Sequence, residues 1–257
     1  MKHQILALAV AALSFTACTN EDNISQDYLA DTPIKLNVSV DEPTTRAGYS
    51  DAELPEGFGL TVDHFTPDDK YSYQVWAKKV GDNWKTYKLD EETLGGTDEE
   101  VTMLWANMND KVEVTAFTKF GLITIPTDQT SDEQLKEADV LYMSAPNIDP
   151  SKEGIKVALQ HVMSKINLTI ELGSEYEFSK EDVDLKIKDV KIDGSLVSGD
   201  PPVMDNLSGD PTPITPLYTG ATPFSKDANG VITKASATYE AILFPQTITS
   251  GKFTVSF

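Results

Sequence analysis

Carboxylates apart, this chain has few residues whose types could do chemistry: His3, His64, His161 and one cysteine, Cys18, beside 41 Asp and Glu. Nucleophilic catalysis needs a base within reach of a hydroxyl or thiol, and metal-assisted hydrolysis needs ligands at defined spacing. His3 lies in an apolar leader. His64 stands beside Phe65 in an expected loop, with no Ser or Cys motif near it. His161 falls where the apolar alternation of two strands slips, a place that suits a packed, hydrogen-bonded imidazole. No G-x-S-x-G, H-E-x-x-H, phosphate loop, dinucleotide fingerprint or D-x-D-x-D-G calcium loop occurs. Carboxylate pairs abound, but so many acids produce pairs by chance, so glycosidase chemistry has no support. The expectation is no catalytic set, no metal site and no cofactor.

The cysteine has a different use. Met1–Ala17 reads MKHQILALAVAALSFTA, with Lys2 as a positive start and Ile5–Leu13 as an apolar run. That run is too short to span a bilayer, which takes roughly 20 apolar residues. Small residues Thr16 and Ala17 precede Cys18, which has no second cysteine to pair with. The arrangement resembles a bacterial lipoprotein signal, with Cys18 as the lipidated residue; the alternative is an ordinary secretory signal. Phe15 departs from the leucine usual in that pattern. Glu21 and Asp22 resemble a surface-export signal of Gram-negative lipoproteins. The expected location is the outer membrane and cell surface.

Composition fits an exported globular protein. Hydrophobic residues make up 40% of the 257 and charged residues 24%, enough for a core and against global disorder. The formal net charge is -20 from 21 Lys and Arg against 41 acids. Loss of the leader removes one lysine and no acid, which takes it to -21. Such a field repels phosphate backbones, so no nucleic-acid partner is expected.

The elements that would position any site are strands. Residues 18–32 read as a polar tether. Ile34, Leu36, Val38 and Val40 share one face of a strand that Pro43 stops. Phe58, Leu60 and Val62 alternate, then Tyr71, Tyr73, Val75 and Ala77. Gly81-Asp82-Asn83 turns the chain into a returning strand, Trp84–Leu89. Gly95-Gly96 and the acids near Glu99 read as a solvated loop. Val101, Met103 and Trp105 form an expected strand, answered by Val112, Val114 and Ala116. Ser131 and Gln134 have capping-box spacing, which predicts a short helix over 131–138. Asp139–Ser144 is a short apolar strand.

Pro146–Gly154 marks the expected boundary between a first domain, 33–150, and a second, 151–257. Ile155, Val157 and Leu159 alternate on odd numbers and Ile166, Leu168, Ile170 and Leu172 on even ones, so register slips near His161. A second slip falls at Lys188-Asp189. Ser198–Thr222 reads as turns. Ala237–Leu243 and Phe253–Phe257 close the chain in strands. Trp76, Trp84 and Trp105 lie in alternating stretches and read as core or hairpin residues, with sugar stacking on an exposed sheet as the alternative. The class is all-β, with two antiparallel β-sandwich domains in tandem.

Four stretches in order carry a family resemblance. They are the lipoprotein leader with Thr45-Arg46-Ala47, Asp139-Val-Leu-Tyr-Met-Ser144, Leu159-Gln-His161-Val-Met-Ser-Lys165-Ile, and Tyr239-Glu-Ala-Ile-Leu-Phe-Pro245-Gln246. Together they resemble the fimbrillins of Bacteroidales type V pili. The resemblance implies two transthyretin-like sandwiches and a lipid anchor in the outer membrane before processing. It implies cleavage by a trypsin-like protease between Arg46 and Ala47, then exchange of the Ile34–Val40 strand for a strand of another fimbrillin subunit. It also implies a stalk, anchor or tip role in the fimbrium, with a host or bacterial surface ligand for an adhesin. Arg46 alternatively reads as one solvated loop arginine. Phe257 stops in mid-alternation where family members carry more chain, so the second domain is expected to lack its last strands or to end in a short one. The rival function is a surface glycan-binding lipoprotein of a polysaccharide-uptake system; an exported hydrolase ranks below both.

Overall fold

Apolar residues at period two build most of this protein, because such runs put one face of a strand into a core and leave the other wet. The computed structural model describes residues 30–41, 48–50, 53–65, 69–90, 93, 95–107, 109–172, 184–197, 203–222, 228, 235–248 and 253–256. Cys18, Arg46 and Ala47 lie outside the described residues.

The largest unit is an eight-stranded sheet. It comprises β1 (Leu36–Val40), β2 (Gly57–His64), β3 (Tyr73–Val80), β4 (Asn83–Asp90), β5 (Gly95–Glu100), β6 (Val112–Phe117), β8 (Leu141–Ile148) and β9 (Ile155–His161), in the spatial order β1-β9-β8-β6-β2-β3-β4-β5. Phe58, Leu60 and Val62 of β2, Val114 and Ala116 of β6, and Ile155, Val157 and Leu159 of β9 are almost wholly buried in one apolar cluster. β7 (Leu122–Thr124) leaves this sheet and pairs with β12 (Asp193–Val197), itself paired with β13 (Val203–Ser208).

Two further three-stranded sheets complete the chain. One is β10 (Ser164–Leu172), β16 (Ala235–Leu243) and β15 (Leu217–Thr222); the other is β14 (Thr212–Ile214), β11 (Asp184–Val190) and β17 (Phe253–Ser256). A second apolar cluster gathers Ile123, Ile125, Leu135, Val140, Ile187, Ile214 and Phe244. The class is therefore all-β.

The single α-helix among the described residues, α1 (Asp132–Ala138), starts as its spacing predicts. Ser131 accepts from the Gln134 backbone N–H, and the Gln134 side chain accepts from the Ser131 N–H at 3.0 Å. Both predicted register slips are present. The chain breaks between β9 and β10 at Val162-Met163, and β11 bulges between Ile187 and Val190, with Asp189 at φ +58.

Several expectations are corrected. Gly95–Glu100 is the edge strand β5, not a loop; hydrogen bonding to β4 overrides a composition poor in strand formers. The 101–105 stretch is extended but is no strand of the sheet, although Met103 and Trp105 are buried. Three strands, β13, β14 and β15, occupy the turn-rich 198–222. His64 ends β2 and is 5% exposed. The 150/151 boundary does not divide the sheets: β9 follows it yet pairs with β8 and β1. Conversely, β7 and α1 precede it but pack into the second cluster.

Candidate functional site

Leu36, Val38 and Val40 lie on β1, at the margin of the sheet, and Ile34 just precedes it. Among the described strands β1 pairs with β9, in the register Leu36↔Ile155 to Val40↔Leu159. That pairing is parallel, which corrects the antiparallel expectation for this one pair. A parallel pair needs a long connection, and here 114 residues, 41–154, run between the two strands. Leu36 (8%) and Val40 (2%) are buried, and Ile34 and Val38 pack half-buried on the same cluster. Lys35 and Asn37 face solvent.

Both ends of the strand are held. Before it, residues 31–34 run antiparallel to 103–105. The Asp31 N–H donates to the Trp105 carbonyl at 2.9 Å, the Trp105 N–H to Thr32 at 3.0 Å, and the Ile34 N–H to Met103 at 2.9 Å. Asp31 and Thr32, expected in the tether, are thus tied to the sheet. The Asp31 carboxylate also accepts from Lys70 Nζ (3.2 Å) and the Tyr71 hydroxyl (3.0 Å). These bonds, the lysine first, hold its carboxyl below the usual range. After the strand, the Asp41 N–H donates to the Leu159 carbonyl at 2.9 Å.

Gly154 makes the close approach possible. Its φ is +90, and a Cβ there would stand 2.2 Å from the Lys35 carbonyl oxygen, which accepts the Ile155 N–H at 2.8 Å. We expect Gly154→Ala to cost about 1–3 kcal/mol through backbone strain, concentrated on β1. Amide exchange should quicken about tenfold in residues 36–40 and stay unchanged in β2. An equal change in both strands would place the strain in the core instead.

On the far side of Arg46 the chain is pinned again. Asp139 is 1% exposed. Its carboxylate meets His161 Nδ1 at 2.9–3.0 Å and accepts the Tyr49 N–H at 3.1 Å. Gly48, at φ +78, lies so close that a Cβ would fall 2.1 Å from Asp139 Oδ2. Burial, then Asp139 and two glutamates nearby, pushes the Tyr49 phenol up. Lys136 of α1 pairs with Glu53. The segment before Arg46 is therefore held on β9 at Leu159, and the segment after it on Asp139, whose partner His161 ends β9.

The residues that carried the family resemblance turn out to be partners. Asp139 and His161 come from separate motifs and form one buried pair. Lys165 pairs with Glu240 at 3.0 Å across β10 and β16. Gln246 copies a backbone pairing: its amide oxygen accepts the Lys191 N–H at 2.9 Å and its nitrogen donates to the Lys191 carbonyl at 3.0 Å. Sequence reasoning missed Gln129, fully buried, which does the same for both backbone groups of Ile242 at 2.8 Å. All five motif residues hold strands together. Among the described residues no group of three or more His, Cys, Asp or Glu is placed to hold a metal ion, and no helix is long and apolar enough to cross a membrane.

A sequence model of fimbrillin-like proteins matches residues 45–257, most of the chain. The protein belongs to the fimbrillin-like family. It is thus a protein of the pilus-subunit class. The matched region opens at Thr45, so β1 lies ahead of it.

Similar solved structures include a candidate cell adhesion protein of Bacteroides uniformis, at 14% identity, TM-score 0.41, covering 87% of this chain and 78% of that one. Another is a candidate adhesin of Bacteroides thetaiotaomicron, at 12% identity, TM-score 0.42, covering 88% and 76%. A fimbrial protein of Bacteroides ovatus aligns at 14% identity and TM-score 0.37, over 88% of this chain and 44% of its own. At such TM-scores the family match alone carries the assignment. No curated protein sequence matches this fimbrillin-like chain.

Proposed function

We propose that this fimbrillin-like protein is a surface lipoprotein whose first strand is released by cleavage between Arg46 and Ala47 and replaced by a strand from a neighbouring subunit. Cys18 carries the lipid that holds the precursor at the outer membrane. The released piece contains Ile34, Leu36, Val38 and Val40, and the processed subunit joins a fimbrium as stalk, anchor or tip. The reading includes two transthyretin-like sandwiches in tandem.

One observation carries it: β1 ends the order of its sheet, pairs among the described strands with β9, and buries aliphatic side chains. Its departure would leave the β9 edge with unpaired backbone groups beside apolar side chains, which is a docking site for another extended chain. The opposite margin, β5, carries Asp98, Glu99 and Glu100. Charges on an edge strand oppose pairing with another sheet, so the two margins are suited to different fates.

The test is limited digestion of the purified precursor with trypsin. An early cut after Arg46, loss of the N-terminal piece and a ladder of oligomers are the expected result. Resistance at Arg46, or cutting without association, would overturn it.

A further inference from the structure

We propose that the outer face of β3–β5 holds a binding site for a neutral sugar ring, built on Trp76 and Tyr87. This goes beyond strand exchange and does not depend on it.

Trp76 and Tyr87 stand opposite each other on β3 and β4. Their chain neighbours Val75, Ala77 and Thr86 are buried, so the two rings belong to the other face of the sheet. Both are half-buried. They floor an open depression of about 290 Å³ whose rim includes Glu56, Lys78 and Asp98.

Two glycines shape the floor. A Cβ on Gly57 would fall 2.4 Å from the indole Nε1, and one on Gly96 would fall 2.7 Å from Cδ1. The indole therefore has its place only because β2 and β5 each present a bare backbone there. An indole beside a phenol offers the amphipathic surface that the apolar face of a pyranose covers.

The polar groups around it are unspent. The Trp76 indole N–H, the Lys78 ammonium and the Glu56 and Asp98 carboxylates have no hydrogen-bond or ion-pair partner among the described residues. An exposed lysine near two carboxylates without an ion pair leaves donors and acceptors free for vicinal hydroxyls, each of which both donates and accepts. Aromatic floor plus a few convergent polar groups is the general form of a small-molecule site. The charge selects among sugars: a protein at net -20 with two carboxylates on the rim disfavours sialylated and sulfated rings. The site sits at the margin of the sheet away from β1, so a subunit could exchange its first strand with this face still open.

The mature full-length chain would be titrated with maltotriose, cellotriose, N-acetyllactosamine and 3′-sialyllactose, following tryptophan emission and heat of binding. The expected result is saturable binding of at least one neutral sugar with a change in emission. Affinity should fall at least tenfold in Trp76→Ala and in Glu56→Gln/Asp98→Asn, and stay within twofold in Trp84→Phe. The double variant touches only exposed side chains, so it keeps the test sound if Trp76→Ala folds poorly. No saturable binding, binding indifferent to the double variant, or binding of 3′-sialyllactose alone would each overturn the proposal.

Discussion

A chain that begins at Ala47 is expected to melt roughly 10–30 °C below the full mature chain and to recover when a synthetic peptide of residues 33–41 is added. The magnitude follows from burial. Leu36 and Val40 are nearly closed off from water, and Ile34 and Val38 are half-closed. At about 1.5–3 kcal/mol for a fully buried aliphatic side chain, the four contribute roughly 4–9 kcal/mol gross, an upper estimate because unfolded chains already bury some surface. Native proteins are stable by only about 5–15 kcal/mol. A loss of that size shifts the midpoint by about 2–4 °C per kcal/mol in a chain of this length.

The backbone adds to the effect. Without β1, the Ile155 N–H loses the Lys35 carbonyl and the Leu159 carbonyl loses the Asp41 N–H. Rescue should be specific, because one face of the strand must enter the core. A peptide with Leu36 and Val40 both changed to Asp should restore nothing. Scanning calorimetry with and without peptide decides the matter. A truncated chain that melts within about 2 °C of the full one and ignores the peptide would show that β1 is not a structural plug.

The second large effect is at Asp139. Asp139→Ala is expected to destabilise by about 3–5 kcal/mol, the usual cost of removing one partner of a buried polar pair. Three losses coincide there. His161 Nδ1 loses its acceptor, the Tyr49 N–H loses its acceptor, and a side chain that is 1% exposed leaves a gap. Asp139→Asn keeps the shape and an acceptor for Tyr49, so it should cost less than half as much. Urea midpoints would measure both. The alanine variant should also loosen residues 48–53, so amide exchange there should quicken well beyond that in β2. A change under 1 kcal/mol would mean that the pair does not pin the segment after Arg46.

Ile34 to Val40 announces itself by strict alternation, and Ser131 with Gln134 announces a helix start; both are local patterns acting on local backbone. The slips at His161 and Asp189 are legible for the same reason, since a change of parity in an apolar run must be absorbed by a break or a bulge. Gly95–Glu100 was not legible as a strand. Its residues have no strand preference, and pairing with β4 alone decides it. Val101 to Trp105 alternates like a strand, but its backbone pairs piecemeal: Val101 donates to Thr86 of β4, and 103–105 meet residues 31–34.

What the amino-acid order determined by itself was the all-β class, the start of the short helix, and which side chains face inward in the strands that alternate. What only the tertiary structure decided was who sits beside whom. Leu36 pairs with Ile155, Asp139 with His161, and Gln129 with Ile242. The reason is physical. Alternation specifies the face that a strand buries, but the groups that join strands are backbone N–H and C=O, the same at almost every residue. The choice of neighbour is therefore made by packing over the whole chain. That packing puts the first strand at the margin of the sheet as the described residues form it, beside β9.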